Sequence, residues 1–117
     1  MKVETVDFLT IPTRDVGRSV QWYAEVLGLE PGAPGEVETP NVTISFWSPE
    51  RDGEAFKPHV GGFAIRVADV EEARRELEAK GVQFHGETVD TGVCHMGFFV
   101  DPDGNTIILH RRYAPRG

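Results

Sequence analysis

The chain has 117 residues, of which 39% are apolar and 26% charged, and a formal net charge of -7. That length buries a core without the disulfide or metal staples needed below roughly 40 residues, and the apolar fraction is too high for a disordered chain. The acidic balance excludes a nucleic-acid binder, no apolar run approaches the ~20 residues of a membrane helix, and the lone Cys94 excludes an internal disulfide.

In chain order, Phe8 to Pro12 is a strand leading to a helix start at Asp15, a residue suited to accept a hydrogen bond from an orphan backbone N–H. Val16, Val20, Tyr23, Val26 and Leu27 then keep a helical period, and Gly28 is the expected C-terminal cap. Residues 30–40, rich in Pro and Gly, read as a connection to a strand over Asn41 to Trp47. Ser48 to His59 is polar and reads as the link to a second half. There the pattern repeats: Gly62 to Val67 is a strand, Asp69 a cap with Glu72 in capping-box position, and Val70, Ala73 and Leu77 a helical stripe that stops at Gly81. Strand-like material follows at Val82 to His85, Val93 to Val100 and Thr106 to His110. The last two flank Asp101-Pro102-Asp103-Gly104-Asn105, a turn in which Pro102 presets φ and Gly104 takes a positive one.

The two capping aspartates lie 54 positions apart, and Leu9/Phe63, Ile11/Ile65 and Val16/Val70 superpose at that offset. The expected fold class is therefore α+β: one domain over residues 1–117, made of two βαβββ modules (about 1–57 and about 58–117). These are expected to form a curved mixed sheet that encloses a cup, with the helices outside. The absence of an apolar leader after Met1 and the single thiol set the expectation of a cytoplasmic protein.

The spacing Pro12-x-x-Asp15 with Trp22-Tyr23 and Leu27-Gly28-Leu29, followed by Asp101-Pro102-Asp103-Gly104-Asn105, resembles the vicinal oxygen chelate superfamily. That group includes glyoxalase I, methylmalonyl-CoA epimerase, extradiol dioxygenases, and fosfomycin and bleomycin resistance proteins. The resemblance implies paired βαβββ modules, usually in a homodimer, and in the enzymes a divalent metal held by His, Gln or Glu inside the cup. By motif offset the implied ligand positions are Phe8 and Gly62 on the first strands, Ile108 on the last strand, and a position near Ser45. Phe, Gly and Ile have no donor atom, and Ser is a poor ligand for a divalent ion. The expectation is therefore no metal and no other cofactor.

Pairing the last two strands about their turn sets Phe98 opposite Ile108 and Met96 opposite His110, so His110 shares a face with Ile108 and Thr106. His110 is the one histidine expected to face the cup, and the candidate acid–base group if there is catalysis. His95 points to the other face, His85 sits at a strand end, and His59 lies near the link. Phe8, Met96, Phe98 and Ile108 are the expected apolar wall of the cup. Thr10, Ser45, Thr106 and His110 are its polar fixtures, with Trp47 and Trp22 at the rim.

Three readings follow. The favoured one is a metal-independent small-molecule binding protein resembling the bleomycin resistance proteins, a homodimer that takes an aromatic or cationic ligand. The second is a lyase, isomerase or dioxygenase of the same superfamily, with a relocated metal or with His110 as acid–base group. The third is an interaction module whose cup is filled by its own side chains.

Overall fold

The computed structural model describes residues 1–116. The chain divides into two compact units, Met1–Pro58 and a second beginning at His59. Each holds one helix and one four-stranded mixed sheet, so the α+β class and the β-α-β-β-β modules stand as read from the sequence.

In the first unit, β1 (Phe8–Pro12) runs into Asp15, whose carboxylate accepts from the Arg18 N–H at 3.0 Å and starts α1 (Val16–Leu27). Gly28 closes the helix at φ 72°, a left-handed conformation that costs a residue without Cβ little. Then come β2 (Glu30–Pro31), β3 (Glu36–Glu38) and β4 (Thr43–Trp47). The spatial order is β1-β4-β3-β2, with β1 and β4 parallel and the rest antiparallel. The core lies between helix and sheet. Tyr23 is fully buried and meets Phe46 edge-on at 4.8 Å, with Ile11, Val37 and Ile44 around it.

Residues 30–40 are not a plain connection but contain β2 and β3, with Val37 buried opposite Ile44. Strands of two and three residues are too short to show an alternation, and Pro31 survives because β2 is an edge strand that needs no further donor.

The second unit repeats the plan with β5 (Phe63–Arg66), α2 (Val70–Ala79), β6 (Val89–Asp90), β7 (Cys94–Val100) and β8 (Thr106–Arg112), in the order β5-β8-β7-β6. Asp69 caps α2 by accepting from the Glu72 N–H at 3.0 Å, and Gly81, at φ 91°, turns the chain away after it. Val70, Leu77, Val82, Phe99, Ile107 and Leu109 form the core against α2.

The segment Val82 to His85 is not a strand. It makes a single bridge, Phe84 to Phe99, and the Phe84 ring packs on Phe99 at 5.1 Å under the Arg74 guanidinium. Packing rather than a ladder uses its apolar residues.

The Asp101–Asn105 turn is a hydrogen-bonded knot. Asp101 Oδ1 accepts from the N–H groups of Asp103 and Asn105, both at 2.9 Å, and Asn105 Nδ2 donates to Asp101 Oδ2 at 2.9 Å. Asn105 Oδ1 accepts from the His59 N–H at 2.8 Å, and Thr106 N–H donates to His59 O at 2.8 Å. The motif therefore fastens the start of the second unit to its last hairpin. The Asp101 carboxylate serves the turn.

Candidate functional site

In each unit the helix covers one sheet face, and strand alternation sends the remaining side chains to the bare one. On β1, Leu9 and Ile11 turn toward α1 while Phe8 and Thr10 alternate to the other side. Parallel register sets Phe8 beside Thr43, Thr10 beside Ser45, and Pro12 beside Trp47. Phe8, Thr10, Ser45 and Trp47 thus share the bare face of the first unit. Phe8 is 56% exposed, well beyond what a core aromatic shows.

Reading 30–40 as a connection hid two more members of that face. Glu36 stands opposite Ser45 and Glu38 opposite Thr43, whose hydroxyl donates to Glu38 Oε2 at 2.6 Å. Their position shows only once β3 is recognised as a strand. Trp22, by contrast, is no rim residue of this face: it sits on α1, edge-on to Tyr23 at 5.2 Å.

In the second unit, Phe98 lies opposite Ile108 and Met96 opposite His110, the register read from the turn. All four are half-buried, while Ile107, Leu109 and Phe99 are buried on the α2 side. Parallel pairing with β5 adds Ala64 beside Ile108 and Arg66 beside His110. Among the described residues no side-chain hydrogen bond orients the His110 imidazole, and its cross-strand neighbours are Met96 and Arg66. A general base aligned by a carboxylate is not built there.

His95 does fall on the opposite face of β7. Its Nε2 lies 3.3 Å from Asp90 Oδ2, and its ring packs on Tyr113 at 4.8 Å. Tyr113 donates to Asp90 Oδ1 at 2.8 Å. The Gly92 N–H and then the Tyr113 hydroxyl hold the Asp90 carboxyl below its ordinary range, and the same bond to Asp90 raises the Tyr113 phenol. These exposed groups fasten the segment after β8 to the β6–β7 turn. Cys94 is buried with its sulfur 3.1 Å from the Thr91 hydroxyl, away from His95 across the strand, so no thiol–imidazole pair forms.

The implied metal positions do not fit a metal. Phe8 and Ile108 present hydrocarbon. Gly62 adopts φ 80°, and a Cβ built there would lie 2.9 Å from Thr106 O, so the backbone itself leaves no room for a ligating side chain. Among the described residues no group of three or more His, Cys, Asp or Glu side chains is placed to hold an ion. No helix among them is long and apolar enough to cross a membrane.

Comparison with known proteins bears on this arrangement. No curated protein is significantly similar in sequence. A Sphaerobacter thermophilus member of the glyoxalase/bleomycin resistance protein/dioxygenase superfamily shares the fold. It has a TM-score of 0.80 and 23% identity over 94% of this chain and 98% of that one. TnmS3, an antibiotic binding protein from Streptomyces, has a TM-score of 0.75 and 23% identity over 96% and 98% of the two chains. Lactoylglutathione lyase from Agrobacterium tumefaciens has a TM-score of 0.77 and 16% identity over 93% and 94%. One fold thus carries both binding and catalysis, and the likeness does not choose between them. The family model described as Glyoxalase/Bleomycin resistance protein/Dioxygenase superfamily matches residues 5–109, and the chain belongs to that superfamily, whose fold is the vicinal oxygen chelate fold.

Proposed function

We propose that this protein binds a small aromatic or cationic molecule without a metal ion, as a homodimer, on a bare sheet face: the first unit's carries Phe8, Thr10, Ser45 and Trp47, and the second unit's carries Met96, Phe98, Ile108 and His110. The observation that carries the reading is the pairing of half-exposed aromatic and aliphatic side chains with a few polar groups on faces that no helix covers. That composition, mostly apolar with sparse hydrogen-bonding groups, is what small-molecule sites use. Glu36 and Glu38 on the Phe8 face favour a cation, which the exposed Phe8 ring would also attract. The absence of donor atoms at Phe8, Gly62 and Ile108 supports binding without a metal. A binding role also has precedent in the fold, since TnmS3 is an antibiotic binding protein.

The test pairs two measurements on the purified full chain. Elemental analysis is expected to give no stoichiometric Zn, Ni, Fe or Mn. A thermal-shift and tryptophan-quenching screen of planar cationic compounds is expected to yield a micromolar or tighter ligand, whose affinity drops at least tenfold in Phe98→Ala and in Ile108→Asp. A bound metal in stoichiometric amount, or a ligand indifferent to both substitutions, overturns the reading.

A further inference from the structure

At the carboxyl ends of the parallel pair β1 and β4, the first unit opens a cleft of about 380 Å³. It lies between the 34–35 turn, the first residue of α1 and the short 3-10 turn Pro49–Asp52. Its apolar wall is Val16, Phe46 and Trp47; its polar rim is Ser48, Arg51 and Asp52. The volume is in the range of small-molecule sites, roughly 300–1,000 Å³.

The rim groups are unequally engaged. Trp47 Nε1 donates to Asp52 Oδ2 at 2.7 Å, which fixes the indole and draws on the Asp52 charge. Arg51 makes only a backbone bond, Arg51 N–H to Ser48 O at 3.2 Å. Among the described residues its guanidinium has no ion pair or hydrogen bond, and the Ser48 hydroxyl does not cap the turn it precedes. Beside Asp52, whose Oδ2 is taken by the indole and whose Oδ1 has no bond among the described residues, the unengaged groups of the cleft are a guanidinium fork that matches a carboxylate in two parallel bonds, and one hydroxyl. An apolar wall with a fixed indole suits a flat ring.

We propose that this cleft is a binding site for a planar aromatic carboxylate, its ring against Trp47 and Val16 and its anionic group on Arg51 and Ser48. The site shares Trp47 with the bare face of the first unit, but Val16, Ser48 and Arg51 lie outside that face, and the guanidinium selects an anion where that face favours a cation.

The experiment titrates the full chain with indole-3-acetate, using tryptophol and tryptamine as neutral and cationic molecules with the same ring, followed by amide proton–nitrogen spectra. Indole-3-acetate is expected to bind at least tenfold more tightly than the other two and to shift the amides of Val16, Ser48 and Arg51 and the Trp47 indole N–H. Arg51→Gln is expected to lower that affinity at least tenfold and Arg51→Lys less, because the exposed side chain has no folding role but a lysine loses the fork. Phe98→Ala leaves this binding intact, so failure here is separable from failure of the sheet-face reading. Tryptamine binding as tightly, an unchanged affinity in Arg51→Gln, no binding at all, or shifts centred on Thr10 and Ser45 would each overturn the assignment.

Discussion

Gly62 shows how a single backbone conformation decides chemistry. At φ 80°, with Thr106 O 2.9 Å from where a Cβ would stand, the position rejects every side chain on two grounds at once. Gly62→His is expected to destabilise the protein by about 1–3 kcal/mol, the cost of a strained non-glycine residue, before any gain from coordination. Adding Phe8→His and Ile108→Glu supplies donor atoms and does not remove that strain. Urea unfolding and elemental analysis of the triple variant check this: unchanged stability with stoichiometric zinc is the contrary result. The same scale explains Phe8, which keeps an exposed aromatic ring on an edge strand where a soluble core has no use for it.

Among the elements, the Asp101–Asn105 turn has the most concentrated hydrogen bonding. Asn105 is 1% exposed and its amide serves both Asp101 and the His59 N–H. Asn105→Ala leaves buried polar partners unpaired and is expected to cost about 2 kcal/mol, with faster amide exchange at His59 and Thr106. Chemical denaturation and hydrogen exchange read both; a loss confined to residues 101–105 would contradict the fastening role. This turn, the Asp15 and Asp69 caps and the Phe98–Ile108 register were legible in the sequence because each rests on short-range chemistry: an Asx side chain, a proline φ, an alternation about a turn. β2, β3 and β6 were not, since strands of two or three residues exist only through their neighbours. With β3 went Glu36 and Glu38. Val82 to His85 erred the other way: its apolar residues looked like a strand, but Phe84 is used to cover β7 at Gly97, where a Cβ would press on its ring at 3.2 Å. The cleft beside Arg51 has no sequence signature, because it is made where the 34–35 turn, α1 and the 3-10 turn meet.

For the whole molecule, apolar side chains remain at the surface. Phe8, Val60, Val89, Val93 and Tyr113 are 39–77% exposed, and β1 and β5 are edge strands. Exposed strand edges beside apolar side chains are what association covers. The homodimer proposed above predicts a sedimentation mass of twice 13.0 kDa at micromolar concentration, and a monomer mass throughout the range would remove it. The strand orders have another consequence, in the timing of folding. In both sheets the last strand made is an inner one: β4 joins β1 to β3, and β8 joins β5 to β7. The outer pairs β2–β3 and β6–β7 can form earlier, but the first strand of each sheet has no partner until the final strand emerges, because the parallel contacts span the whole module and loop closure must precede them. On the ribosome the first unit acquires its inner strand while the second is still unmade. The β5 edge then waits for β8, so that nascent chain is the form of this protein most in need of protection from aggregation.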